Sequence, residues 1–163
     1  MNIYLIGMPL SGKSSIGRML AKQLNKPFID LDHKVEVEYS MFVDEIFKNY
    51  GEEVFRTYET KVLESVKELD AVISCGGGIV EKKSNKALMN GLKIYLETPV
   101  ETLKVRQQFS HARPLLATMS LEQLYDKRFL KYRDFADVIV ANNDKFDKTI
   151  HDIMNVLQEK GLL

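Results

Sequence analysis

The run Gly7-Met8-Pro9-Leu10-Ser11-Gly12-Lys13-Ser14 constrains this chain more than any other stretch. It fits the pattern G-x-x-x-x-G-K-[ST], in which glycines let backbone N–H groups wrap a phosphate and a lysine and a hydroxyl follow at once. Before it, Ile3 to Ile6 is a continuous apolar run, as expected of a strand buried on both faces of a parallel sheet. After it, Lys13 to Leu24 sets Ile16, Met19, Leu20 and Leu24 on one stripe of a helix whose positive end points at the loop. A chance glycine turn would not need that strand–loop–helix frame. The loop therefore reads as a nucleoside triphosphate cradle. Gly7, Gly12, Lys13, Ser14 and Ser15 would hold ATP, with Lys13 at the β- and γ-phosphates and the Ser14 hydroxyl on Mg²⁺.

The rest of the chain alternates in the same way. Phe28 to Leu31 reads as a short strand after the Lys26-Pro27 break. From His33 to Leu69 the pattern is helical, with Gly51 dividing a Val43, Ile46, Phe47 face from a Val54, Tyr58, Val62, Leu63, Val66 face. Ala71 to Ser74 is a buried strand, Ser84 to Met89 a short helix and Leu92 to Leu96 a strand, and Pro99 suits the first turn of a helix. Residues 107–117 have no period and read as a mobile lid. Leu121 to Phe135 is helical, Val138 to Val140 is the last strand, and Ile150 to Leu157 a closing helix. This order predicts an α/β fold, a three-layer α/β/α sandwich around a parallel sheet of about five strands.

At 163 residues the chain is expected to form one domain over 1–163. Lys plus Arg and Asp plus Glu both total 23, so the formal net charge is zero. That argues against a nucleic-acid or membrane-surface protein, which would carry a basic excess. The one cysteine, Cys75, allows no internal disulfide and suits a reducing, cytoplasmic compartment. The opening Met1 to Ile6 lacks a charged leader region and reads as a strand, not a signal peptide. No apolar run approaches a membrane span. Three histidines without ligand spacing disfavour a metal-dependent hydrolase.

Four further motifs bear on the acceptor. Asp30 and Asp32 are two apart; on a strand they would share a face at the sheet's carboxyl end, or else one caps the helix starting at His33. Arg56 and Glu59 are neighbours on a helix, either a solvated pair or an arginine held rigid to grip a carboxylate. Gly76, Gly77 and Gly78 follow a buried strand and permit close backbone approach to a ligand, or form a plain turn. Arg113, in Arg113-Pro114-Leu115-Leu116, lies on the lid, where a cation would neutralise a transferring phosphoryl group and closure would exclude water. Arg128 and Arg133 follow on a helix, where the pattern alone does not choose between site and surface.

Together, Asp30-Leu31-Asp32, Phe55-Arg56-Thr57-Tyr58-Glu59, Gly76-Gly77-Gly78 and Arg113-Pro114-Leu115-Leu116, in this order behind the phosphate loop, resemble shikimate kinase, in the nucleoside monophosphate kinase structural group of P-loop kinases. The resemblance runs from Met1 to about His151 and implies transfer of the ATP γ-phosphate to the 3-hydroxyl of shikimate. It implies Mg²⁺ on Ser14 and, through water, on Asp30, with Ser74 nearby. It implies that Asp32 binds the ring hydroxyls and serves as base, that Arg56 and Arg128 (in the R-x-x-x-Y run to Tyr132) take the carboxylate, and that Gly76, Gly77 and Gly78 contact the acid through the backbone. Phe47 and Phe55 would wall the pocket, Arg106 would lie against adenine, Arg113 would act from the lid, and residues 33–61 would form the acceptor region. The enzyme is expected to be a monomer. The sequence departs from the family at Leu10, where a glycine is usual, at Pro9, and at Asn142-Asn143-Asp144, which lacks a proline expected near adenine. A gluconate-type kinase or a non-catalytic nucleotide-binding regulator are the alternatives. The Arg56, Arg128 and triple-glycine set argues against the first, and the second would need no acceptor pocket.

Overall fold

The computed structural model describes residues 1–109, 119–143 and 145–163. Five strands form one parallel sheet: β1 (Asn2–Ile6), β2 (Phe28–Asp30), β3 (Val72–Ser74), β4 (Gly91–Glu97) and β5 (Val138–Ala141), in the spatial order β2-β3-β1-β4-β5. Because successive side chains on a strand point to opposite faces, β1 divides its apolar run between two cores. Ile3 and Leu5 pack with Ile16 and Leu20 of α1 (Lys13–Leu24) and with Ile150, Ile153 and Leu157 of α8 (Phe146–Glu159). Tyr4 and Ile6 face the opposite core, with Val35, Ile46, Val62, Leu103 and Tyr132. Those residues come from α2 (Leu31–Tyr39), α3 (Val43–Tyr50), α4 (Glu52–Ser65), α6 (Val100–Gln107) and α7 (Leu121–Phe135). The one-turn α5 (Asn85–Leu88) joins them. The expected three-layer sandwich is thus built, and the P-loop kinase architecture with it. Among the described residues no helix is long and apolar enough to cross a membrane.

Local chemistry sets the element ends. Gly12 caps α1 at φ 89°, a left-handed geometry that a side chain disfavours, and Asn25 ends the same helix at φ 54°. Ser120 and Gln123 form a capping box that starts α7.

The structure corrects several boundaries. The strand expected to reach Leu31 stops at Asp30, and α2 begins at Leu31. The helical stretch divides at Ser40 as well as at Gly51, since Ser40 turns left-handed at φ 53° without any glycine or proline to announce it. The last helix starts at Phe146, four residues early. Met19, expected on the buried stripe of α1, is exposed. Most of the expected lid, residues 110–117 with Arg113, lies outside the described residues; residues 107–109 end α6 and its following turn.

Candidate active site

The carboxyl ends of the strands open into a cleft of about 480 Å³. Crossing from β1 to α1, the phosphate loop forms one wall. Lys13 is buried, and its Nζ donates to the carbonyls of Gly7 and Met8, both at 2.8 Å. Ser14 Oγ donates to Asp30 Oδ2 at 2.8 Å and lies 3.3 Å from Ser74 Oγ. Ser15 lines the cleft; Gly7 does not, and instead lies against the Leu96 carbonyl, which a Cβ there would approach to 2.9 Å.

Asp30 and Asp32 both line this cleft, but not as two residues on one strand face. Asp30 is the N-cap of α2, accepting the His33 N–H at 3.3 Å, and Asp32 sits in the first turn of that helix. The capping alternative was the right one for Asp30, and the same carboxylate still reaches Ser14. A helix first turn, rather than a strand period, turns both acids toward the loop.

Behind Asp32 stands a buried carboxylate, Glu59, with no exposed side-chain surface. Its Oε1 accepts from Arg56 Nη1 at 3.1 Å, while its Oε2 has no hydrogen-bond partner. Arg56 is also held by Glu52, at 3.1 Å from Nη2 and 3.3 Å from Nε. Burial opposes the Arg56 charge, but the two carboxylates outweigh it and raise its pKa. Burial pushes Glu59 up to about 7, Arg56 pulls against that rise, and Asp32 adds to it. Arg56 and Glu59 form a buried pair, not a solvated surface one.

Arg128 projects from α7 with 1% of its side chain exposed. Its Nε donates to Glu81 Oε2 at 3.3 Å, and its Nη2 has no hydrogen-bond partner among the described residues. Its charge reaches Glu59 and Tyr132, and the Arg56 charge reaches the same two groups, so the two guanidiniums converge on one neighbourhood. Arg133, by contrast, is a half-exposed surface cation paired with Glu97 at 2.8 Å.

The three glycines make room for protein rather than forming a bare turn. A Cβ on Gly76 would stand 2.7 Å from Asp32 Oδ1 and 3.0 Å from Glu59 Oε2. One on Gly77 would meet Pro9 at 2.8 Å, and one on Gly78 would overlap the Arg56 guanidinium. Tyr132 donates to the Gly77 carbonyl at 2.6 Å, tying this loop to α7. Gly76 and Gly77 line the first cleft, whereas Arg56 lines a second hollow of about 570 Å³ with Glu52, Glu81, Lys127 and Lys131. Arg56 and the phosphate loop thus line separate hollows.

Phe47 and Phe55 pack ring to ring at 4.9 Å, but neither lines the phosphate cleft, and Phe55 belongs to the core. Arg106 does line it. Its Nη1 donates to the Leu10 carbonyl at 2.8 Å, and the guanidinium lies over the Phe146 ring, 5.2 Å from its centroid. Leu10 adopts φ 71°, so the residue standing where a glycine is usual does take a left-handed conformation.

Three residues that the sequence did not announce complete the site. Phe146 lines the cleft beside Gly12. Buried Asn142 donates to the Ser11 carbonyl at 2.6 Å and to Thr98 Oγ1 at 3.0 Å, and accepts from Thr149 at 2.7 Å, clasping the phosphate loop to β5. Glu81, in a single 3₁₀ turn at Ile79–Glu81, collects Lys127 at 3.0 Å, Arg128 and Lys131 at 2.6 Å. Burial acts against the Glu81 charge, but these cations hold its carboxyl down at about 2.

Hydroxyl and carboxylate oxygens at Ser14, Asp30 and Ser74 are hard donors, suited to Mg²⁺ rather than to a soft metal. Among the described residues no three His, Cys, Asp or Glu side chains gather as a cage.

Comparison with known proteins bears on this arrangement. The family model for shikimate kinase matches residues 9–158. A shikimate kinase of Macrococcus caseolyticus is 33% identical over 167 residues, spanning 99% of both chains. One from Vibrio parahaemolyticus is 37% identical, covering 98% of this chain and 97% of its own. The solved structure of shikimate kinase from Acinetobacter baumannii in complex with shikimate superposes with a TM-score of 0.92 at 33% identity, covering 99% of this chain and 95% of its own.

Proposed function

The chain belongs to the shikimate kinase family, and from that premise we propose that it transfers the γ-phosphate of ATP to the 3-hydroxyl of shikimate, giving shikimate 3-phosphate and ADP. It is an ATP-dependent phosphotransferase. The observation that carries the acceptor is the pair of guanidiniums, Arg56 and Arg128, sharing Glu59 as a neighbour directly behind Asp32. A planar acid with ring hydroxyls suits that set. The carboxylate takes the two arginines, the hydroxyls face Asp32, and the glycine loop at 76–78 supplies backbone contact.

The nucleotide lies on the phosphate loop. Backbone N–H groups between Gly7 and Ser15 cradle the phosphates, Lys13 exchanges its carbonyl partners for β- and γ-oxygens, and Arg106 flanks the base. Ser14 and Asp30 would hold Mg²⁺, which when bound would neutralise charge on the phosphates. The acceptor oxygen forms its bond to phosphorus as the bond to the ADP oxygen breaks, and its proton passes to the Asp32 carboxylate. Lys13 and Arg113 meet the charge spread over the equatorial oxygens. Phe47 and Phe55 stiffen the acceptor helices at 33–61 from behind. One cytoplasmic domain acting as a monomer suffices for this chemistry.

A coupled assay of ADP release with shikimate, gluconate and nucleoside monophosphates tests the reading. Turnover should appear with shikimate alone, and Arg56→Ala should raise the shikimate KM roughly 10–100-fold while leaving the ATP KM nearly unchanged. Equal loss for both substrates would remove Arg56 from the acceptor site.

A further inference from the structure

Glu81 has no part in the reading above, yet its position next to the acceptor site is unusual. It is the only carboxylate paired with Arg128 among the described residues, and only 11% of its side chain is exposed. The two lysines it also holds, Lys127 and Lys131, are 46% and 42% exposed, so those pairs are screened by water. Arg128, at 1% exposure, is not. A guanidinium has five donors in a fixed plane, so holding one nitrogen sets the direction of the rest. Here Nε is held by Glu81, while among the described residues no hydrogen-bond partner reaches the buried Nη2. Arg128 also lies within electrostatic reach of Tyr132 and Glu59, and Tyr132 is tied to the glycine loop.

We propose that Glu81 is a positioning residue for the acceptor: by fixing Arg128 through Nε it leaves Nη2 aimed, desolvated and vacant for one carboxylate oxygen of the acid substrate. This rests on the shikimate-binding role of Arg128 given above. Because Glu81 stands on the 3₁₀ turn directly after Gly78, the same backbone segment that gives Arg56 its space also orients its partner arginine.

A charge argument alone predicts the opposite sign. Glu81 is one anion among three cations, so its removal makes the hollow more positive and would attract a carboxylate more strongly. Positioning predicts that the acid binds worse, because Arg128 then loses its fixed direction.

Steady-state kinetics of Glu81→Ala, Glu81→Gln and a double-mutant cycle with Arg128→Ala separate the two. The expected result for Glu81→Ala is a shikimate KM raised roughly ten-fold, the weight of one hydrogen bond to a charged group, with the ATP KM unchanged. Glu81→Gln keeps an acceptor for Nε without the charge, preserves the fold if Ala does not, and should bring KM back to within about three-fold of wild type. In the Arg128→Ala background, Glu81→Ala should add almost nothing. A lowered shikimate KM, a Gln variant as impaired as Ala, or additive effects in the cycle would each overturn the proposal. Absence of shikimate turnover in the wild type would instead overturn the reading of the site on which it rests.

Discussion

Glu59 gives the protein a stability profile with an uncommon sign. Its carboxyl is buried, half-satisfied by Arg56 and near Asp32, and it titrates near 7 in the folded chain against 4.5 for an ordinary glutamate. The unfolded chain therefore releases this proton first. Between about pH 4.5 and 7 the folded state binds more protons than the unfolded one, so this group's contribution is complete below 4.5 and is lost as pH rises through 7. At roughly 1.4 kcal/mol per unit, the shift of about two and a half units corresponds to about 3 kcal/mol. Glu81, lowered to about 2, acts with the opposite sign and only below about 4.5, outside the window that matters. Glu59→Gln mimics the protonated carboxyl, keeps an acceptor for Arg56 and does not titrate. Urea unfolding of both proteins at pH 5 and pH 8.5 is the assay. The variant should gain about 2–3 kcal/mol on the wild type between those two pH values. A difference that stays constant across the window would refute the reasoning, because it would mean that Glu59 is already ionised in the folded protein at pH 5.

Two other substitutions test the site's construction. Gly78→Ala drives a Cβ into the Arg56 guanidinium and should raise the shikimate KM about ten-fold or more in the coupled assay, with the ATP KM within about two-fold. Asn142→Leu strips the buried clasp from the Ser11 carbonyl, Thr98 and Thr149; thermal or urea unfolding should show a loss of about 2–4 kcal/mol, and the ATP KM should rise while the shikimate KM holds.

The sequence made the phosphate loop legible because its geometry demands particular residues at consecutive positions, and the strands legible because burial on both faces leaves unbroken apolar runs. It misled where two periods meet. Asp30-Leu31-Asp32 satisfies a strand's alternation and a helix cap equally well, and only the pairing of Asp30 with Ser74 in the sheet and with the His33 N–H decides it. Ser40 breaks the helical stretch with no residue that ordinarily does so. Glu81 and Asn142 were invisible for another reason: their partners lie 47 and 131 positions away in sequence, so no local pattern marks them. The triple glycine was read as room for a ligand, whereas the groups that claim the space are Asp32, Glu59, Pro9 and Arg56.

The two halves of the site differ in how the protein satisfies its own charges, and that difference bears on selectivity. On the nucleotide side Lys13 already has two carbonyl partners, so phosphates gain only the excess of their attraction over those bonds. On the acceptor side Arg128 Nη2 and Glu59 Oε2 are buried and unpartnered. A buried polar group left unmade costs about 1–3 kcal/mol. The acid that supplies an oxygen to Nη2 recovers that cost along with the bond itself, whereas an acceptor lacking the carboxylate leaves it standing. Such a site discriminates most sharply against the analogue missing the group it was built to bind. On the reading proposed above, the phosphate loop would set that a triphosphate is used at all, while the choice of acceptor would rest on a few buried, incompletely satisfied polar atoms behind the glycine loop.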